Sequence, residues 1–151
     1  MIKTNPKRVL VACIGNTERS PLLAALIKEW VTGNDYEVHV ESVGVGESAL
    51  LGGCTSDEAI TAAKRMNIDL SKHERRHVSA VDPKSFDAIV CADASVVNAM
   101  VDLKVPKNKL WPAGIDGDKN LWPVHCLEDY EEKIVPEVLK AAYKFVRRCY
   151  E

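Results

Sequence analysis

The sequence lacks the cysteine patterns of a disulfide framework and of a structural zinc site. Its 5 cysteines are odd in number and scattered, and no two of them form a Cys-x-x-Cys pair. An excess of charge is also missing: the formal net charge is -2, so no global field favours nucleic acid or an anionic membrane. Any bound anion must therefore be held by a local site.

Long apolar runs are absent as well. No stretch approaches the ~20 apolar residues of a membrane span, and the N-terminal residues lead into a strand-like segment without the apolar region of a signal peptide. We therefore expect a cytoplasmic protein without membrane or nucleic-acid partners, metal or other cofactor. The sequence does not indicate an oligomeric state.

What is present is the composition of a globular protein, with 46% hydrophobic and 28% charged residues in a chain of 151. Strand-like and helix-like segments alternate, which predicts a single α/β domain over residues 1–151. We expect a doubly wound parallel sheet with helices on both faces, and a last helix disturbed by Pro136. Strands are predicted at 8–13, 36–43, 86–91 and 109–111, and helices at 21–31, 56–66, 95–103 and 128–149.

The loop after the first strand has the parts of a phosphate cradle. In doubly wound sheets, ligands bind beyond the carboxyl ends of the strands, where loops lead to helix N-termini. A glycine allows close backbone approach, and successive N–H groups form an anion-binding nest. Ser20 is a predicted N-cap and Pro21 suits the first helical position, which directs the helix dipole at the loop. The predicted phosphate-binding positions are Ile14, Gly15, Asn16, Thr17, Glu18, Arg19 and Ser20.

Cys13 and Arg19 stand at the two ends of this loop, separated by six positions. A loop that curls around one phosphate returns the guanidinium to the bound oxygens, where its planar fork matches two of them. The groups that would hold phosphate also favour a thiolate at Cys13. A buried structural cysteine and a surface arginine give the same spacing, but the strand-to-helix context favours a thiolate-bearing phosphate site.

These residues resemble the low-molecular-weight protein tyrosine phosphatase family, whose loop reads Cys-x-Gly-Asn-x-Cys-Arg-Ser-Pro near the N-terminus. The similarity extends to the segments at 41–44, 67–73, 86–93 and 127–132. It implies hydrolysis of phosphorylated proteins or small phosphoesters through a phosphocysteine intermediate.

Site residues follow from the resemblance position by position. Cys13 would be the nucleophile and Arg19 the clamp for phosphate and for the transition state. Asn16 and Ser20 would organise the loop, and Ser42 would support Asn16 from the neighbouring strand.

Two departures from the family affect the mechanism. The second loop cysteine of the family is replaced by Glu18, which removes a disulfide partner for Cys13, and we expect this acidic side chain to point away from the cradle. The Asp-Pro that supplies the family's general acid is also missing before the last helix. Alignment puts His125 or Cys126 near that position, and His125 is the better donor. An ordinary surface role for His125 stays open, with Asp116, Asp118, Asp129 and Glu18 as further candidates for the acid.

The identity of the substrate also stays open. The segment 46–51 has no aromatic residue, whereas the family often flanks the substrate ring with one. Thr17 occupies a position at which a threonine is associated in the family with phosphoarginine rather than phosphotyrosine. A hydroxyl bonded to its own loop backbone is an equal explanation for Thr17.

Two other functions compete with phosphatase activity. A thiol-dependent arsenate reductase shares this fold and loop, with Cys54, Cys91 and Cys126 as the only candidates for a disulfide relay. A phosphate-binding or phosphopeptide-binding module without turnover is the other alternative. Apart from these, the basic run of His73, Arg75, Arg76 and His77 is interpreted as a solvated face.

Overall fold

The computed structural model describes residue 2, residues 4–115 and residues 127–151. Its centre is a four-stranded sheet in the order β2-β1-β3-β4, with every pairing parallel. Cys13 lies opposite Gly44 at the end of the β1–β2 pairing, so both strands finish at the same edge of the sheet. The strands are β1 (Arg8–Cys13), β2 (His39–Gly44), β3 (Ala88–Cys91) and β4 (Leu110–Pro112).

β1 is buried on both faces because its apolar residues run without interruption. Successive side chains of a strand point to opposite faces, so Val9 and Val11 enter one hydrophobic core. Leu10 and Ala12 enter the other. All four side chains are fully buried, and this strand forms the shared wall between the two cores.

Helices cover both faces of the sheet, as predicted. Helices α1, α2 and α5 contribute to the core that contains Val9, whereas α3 contributes Val96 and Met100 to the opposite core. No helix in the described ranges is long and apolar enough to cross a membrane. The helices are α1 (Ser20–Gly33), α2 (Asp57–Arg65), α3 (Ala94–Asp102), α4 (Leu127–Asp129) and α5 (Val135–Tyr150).

Side-chain caps begin α2 and α3. Ser56, the predicted N-cap of α2, accepts a hydrogen bond from the Ala59 N–H at 3.2 Å. Asp93 caps α3 by accepting from the Val96 N–H at 3.1 Å. Each bond satisfies one of the N–H groups that a helix start leaves without a partner.

The prediction that Ser20 caps α1 is wrong. Arg19 is the N-cap residue of α1, and its side chain makes no capping hydrogen bond. Ser20 is the first residue of the helix, and its hydroxyl lies against the thiol of Cys13. The Ser20 oxygen also accepts from the side-chain amide of Asn16 at 2.9 Å, so the hydroxyl bonds the loop instead of capping α1.

Pro136 disturbs the last helix in a specific way. The chain forms a π-helical stretch at Tyr130–Ile134, between α4 and α5. Pro136 then lies in the first turn of α5. The N–H groups of a first turn do not bond within their helix, so the missing N–H of proline costs no hydrogen bond of α5. The helical segment therefore continues past Pro136 by changing from π-helical to α-helical geometry, instead of ending there.

Candidate active site

The two ends of the loop, Cys13 and Arg19, are both buried where β1 leads into α1. Cys13 is 2% exposed and Arg19 is 5% exposed. Cys13 ends β1 at the carboxyl edge of the sheet, and Arg19 precedes the first turn of α1. The predicted loop therefore exists, with both of its chemically important side chains turned into the protein rather than toward bulk water.

The sulfur of Cys13 contacts two polar groups of its own loop and helix. The N–H of Asn16 donates to Cys13 Sγ at 3.2 Å. The hydroxyl of Ser20 lies 3.0 Å from the same sulfur. Hydrogen bonds to a charged form favour that form, so both contacts suit a thiolate nucleophile at the base of the loop.

Asn16 is the residue on which the loop is built. It is fully buried and its φ of 58° lies in the left-handed region, which asparagine tolerates better than most residues. Its side-chain amide donates to Ser20 Oγ at 2.9 Å and to Ser42 Oγ at 3.0 Å. Its Oδ1 accepts from the N–H of Arg76 at 2.9 Å. Ser42 thus occupies the supporting position that the resemblance implied.

The end of β2 approaches the loop so closely that Gly44 must be a glycine. A Cβ at Gly44 would lie 2.6 Å from the carbonyl oxygen of Ile14 and 3.0 Å from the nitrogen of Asn16. The residues that follow bond the same loop: Val45 N–H donates to the Cys13 carbonyl and Gly46 N–H donates to the Ile14 carbonyl, each at 2.9 Å. The end of β2 and the residues after it therefore hold the carbonyl groups at the start of the loop in place.

Arg19 is held from the side of β3. Its Nη1 donates to Asp93 Oδ2 at 2.6 Å and to the backbone carbonyl of Ile115 at 2.9 Å. Burial opposes ionisation of Asp93, but hydrogen bonds from Ser95 and Arg19, with the charge of Arg19, hold the pKa of this carboxyl below its ordinary value. Asp93 is therefore an ionised partner that orients the guanidinium.

Glu18 is buried between the loop and the start of α2. Burial, reinforced by the negative charge of Glu58, raises the pKa of Glu18 from 4.5 to about 7, while Ser56 and Arg19 act in the opposite direction. Its Oε2 has no hydrogen-bond partner among the residues that the structure describes. The backbone carbonyl of Glu18 accepts from the hydroxyl of Tyr130 at 2.7 Å, which ties the loop to the C-terminal helical segment.

The basic run after α2 is not a solvated face, so that interpretation is wrong. The ring of His73 bonds the carbonyl of Asn16 at 3.1 Å, and Arg75 Nε donates to the carbonyl of Gly15 at 3.1 Å. Burial lowers the pKa of His73, although its bond to the Asn16 carbonyl opposes this. The resemblance of residues 67–73 to the family was the sequence signal that could have identified this contact.

The described cysteines that were candidates for a disulfide relay differ in burial. Cys91 is buried in the core beside α3, and burial, with the charge of Asp93, raises the pKa of its thiol to about 12. Cys54 is exposed. No group of three or more His, Cys, Asp or Glu in the described ranges could hold a metal ion. The predicted acid His125, together with Asp116, Asp118 and Cys126, lies outside the described residues.

A family profile matches the part of the chain that carries this geometry. The profile described as "Low molecular weight phosphotyrosine protein phosphatase" covers residues 8–111, from the start of β1 into β4. The chain belongs to the low-molecular-weight protein tyrosine phosphatase family. Cys13, Asn16, Arg19, Ser42 and Asp93 all fall within the matched range.

Individual relatives agree with the family. The chain is 34% identical over 95 residues to the probable low-molecular-weight protein-tyrosine-phosphatase EpsP of Ralstonia nicotianae, which covers 63% of this chain and 59% of that protein. It is 32% identical over 84 residues to the phosphatase Ptp of Acinetobacter johnsonii, covering 56% of this chain and 55% of that protein. The chain thus matches less than two thirds of the length of these relatives.

Solved structures of the family share the fold. The low-molecular-weight protein tyrosine phosphatase from T. tengcongensis superposes with a TM-score of 0.78 at 24% identity, covering 93% of this chain and 98% of that one. The Erwinia amylovora tyrosine phosphatase amsI gives the same TM-score of 0.78 at 21% identity, covering 100% of this chain and 95% of that one. The sheet and the helices around it are therefore those of the family.

Proposed function

We propose that this protein hydrolyses phosphomonoesters through a phosphocysteine intermediate on Cys13. One observation carries the proposal: the sulfur of Cys13 accepts from the N–H of Asn16 and contacts the hydroxyl of Ser20, at the base of a loop that ends in a buried Arg19. The two polar groups stabilise an attacking thiolate at the sulfur. The cation at the far end of the loop binds the dianionic phosphoryl group that the thiolate attacks.

The reaction has two steps. The thiolate of Cys13 attacks phosphorus, an S–P bond forms, and the bond to the ester oxygen breaks with its electron pair going to the leaving group. Water then attacks the phosphocysteine, the S–P bond breaks, and phosphate leaves as the thiolate is restored. Arg19 and the loop N–H groups stabilise the equatorial oxygens in both steps.

The leaving oxygen needs a proton, and we propose His125 as its donor on the sequence argument given above. The surroundings of two acidic groups near the described part of the loop support this choice. Asp93 is ionised against Arg19, and Glu18 is buried beside Ser56 and Glu58. A histidine near neutral pH supplies the proton without leaving a buried carboxylate behind.

We propose phosphorylated proteins as the substrate class, with phosphotyrosine as the leading phosphoryl donor. The family membership supports this choice, and so does an exposed apolar turn, Glu47–Leu51, in which Leu50 and Leu51 are 62% and 80% exposed. Ser48 of this turn lies beside Gly15 of the loop, so a peptide flanking the phosphoryl group would meet the turn. Thr17 supports phosphoarginine as the second donor, because a hydroxyl can accept from a guanidinium.

The test measures inorganic phosphate released from peptides that carry phosphotyrosine, phosphoarginine or phosphoserine, with Cys13→Ser as the control. We expect release from phosphotyrosine or phosphoarginine, and none by Cys13→Ser. Tight phosphate binding without release from any peptide would overturn the proposal in favour of a binding module. Arsenate reduction coupled to a thioredoxin, without phosphate release, would overturn it in favour of a reductase.

A further inference from the structure

A cationic side chain and the thiol of Cys13 bond the two ends of one peptide group. Arg75 Nε donates to the carbonyl oxygen of Gly15 at 3.1 Å. The N–H of the same peptide group, which belongs to Asn16, donates to Cys13 Sγ at 3.2 Å. The guanidinium and the sulfur are therefore connected through a single planar, polarisable unit.

This arrangement strengthens the hydrogen bond to sulfur. A charged donor on a carbonyl draws electron density toward the oxygen, which makes the N–H at the other end of the peptide a stronger donor. The stronger donor favours the thiolate over the thiol, since the thiolate is the better acceptor. Arg75 thus acts on the sulfur without touching it.

The guanidinium of Arg75 is committed to the loop. The backbone N–H of Arg75 donates to the carbonyl of Gly53 at 2.8 Å, while its side chain bonds the loop at Gly15. In the described parts of the chain, Arg75 forms no ion pair, whereas the neighbouring Arg76 is paired with Glu41. Arg75 Nη2 also lies 3.4 Å from the point where a Cβ on Gly15 would be, so the guanidinium lies in contact with the backbone of this residue.

We propose that Arg75 is a positioning residue for Cys13: through the peptide group between Gly15 and Asn16, it holds and polarises the N–H that stabilises the thiolate. The proposal rests on the proposed role of Cys13 as the nucleophile. The other titratable or charged residues that belong to the loop or bond it or its side chains are Glu18, Arg19, His73, Arg76, Asp93 and Tyr130.

The experiment follows the alkylation of Cys13 by iodoacetamide as a function of pH, measured on the Cys13 peptide by mass spectrometry because other cysteines also react. Arg75→Met removes both the charge and the donor, and we expect the pH midpoint of the alkylation rate to rise by about one unit, a tenfold loss of thiolate. Arg75→Gln keeps a neutral donor and should give a smaller rise. Lys72→Met is the control, since it removes one exposed positive charge from the same segment.

An unchanged midpoint in Arg75→Met would overturn the proposal. An equal rise in Lys72→Met would also overturn it, because the effect would then be long-range charge alone. If Arg75→Met does not fold, the proposal depends on Arg75→Gln, whose midpoint must lie above that of the wild type. The readout needs no turnover, so a wild type that hydrolyses nothing would contradict the proposed function while leaving this test intact.

Discussion

The guanidinium of Arg19 and the carboxylate of Asp93 form an ion pair across the carboxyl edge of the sheet, with Nη1 and Oδ2 2.6 Å apart. Asp93 also caps α3 through its other oxygen. Asp93→Asn keeps an oxygen for the cap but loses the charge, so Arg19 loses the charged partner that helps to orient it. We expect kcat/KM to fall about tenfold or more, because a misplaced clamp costs transition-state stabilisation.

Asp93→Ala separates the two roles of this residue. It loses both the ion pair and the cap, so its kcat/KM should match that of Asp93→Asn while its free energy of unfolding falls further by about 1 kcal/mol. Urea unfolding and steady-state kinetics on both variants check this. Wild-type kcat/KM in Asp93→Asn would contradict a role for the pair in catalysis.

Asn16 combines a left-handed backbone with three side-chain hydrogen bonds. Asn16→Ala loses the bonds and adds backbone strain, whereas Asn16→Gly loses the bonds alone. We expect both variants to lose most of their activity, and Asn16→Gly to be more stable than Asn16→Ala by about 1 kcal/mol. Equal urea midpoints for the two variants would show that the φ of this residue carries no strain.

Glu18 should make the protein less stable as the pH rises. The folded state keeps the Glu18 proton up to about pH 7, whereas a carboxyl with the ordinary value of 4.5 releases it earlier. The folded state therefore binds more protons between these pH values, and stability falls across that window. Above pH 7 the free energy of unfolding has fallen by the full amount, about 3 kcal/mol.

Glu18→Gln cannot ionise and should escape this cost. We expect its free energy of unfolding to exceed that of the wild type at pH 8, and the difference to shrink toward pH 5. The exposed Glu47, replaced by Gln, serves as the control and should show no such pH-dependent gain. A Glu18→Gln difference that is the same at pH 5 and pH 8 would show that Glu18 is not held protonated by burial.

His125 is tested by comparing leaving groups. If it donates the proton, His125→Ala should slow hydrolysis of phenyl phosphate by roughly 10²-fold or more. The same variant should barely affect para-nitrophenyl phosphate, whose leaving group needs less help. Cys126→Ala decides between the two aligned positions. Equal slowing of both substrates, or none, would remove His125 from the mechanism.

The sequence predicted the sheet best where burial of a strand on both faces requires a run of apolar residues. The apolar run that follows Arg8 indicates a strand buried on both faces, and β1 has the predicted bounds, Arg8–Cys13. The second strand was predicted to begin at 36 but begins at His39. The predicted start is too early because Tyr36 fits the alternating pattern but does not belong to the strand. Its hydroxyl donates to the carbonyl of Tyr150 at 2.5 Å, so this side chain contacts the end of α5.

The site was predictable where its residues are close in sequence and not where they come together from a distance. Cys13, Asn16 and Arg19 occupy one loop. Arg75 contacts that loop from 60 positions away, and no local pattern distinguishes such a residue from a solvated one. Ser20 was misassigned because a serine before Pro is equally suited to cap a helix or to face a thiol, and only the tertiary structure decides.

The central claim is that Cys13 carries the phosphoryl group during turnover. The most direct measurement is mass spectrometry of the protein, quenched in acid during hydrolysis of para-nitrophenyl phosphate. We expect a fraction of the wild type to gain one phosphoryl group, located on the Cys13 peptide, and Cys13→Ser to show neither this adduct nor turnover. Hydrolysis by Cys13→Ser near the wild-type rate, or a phosphoryl group on another residue, would contradict the claim.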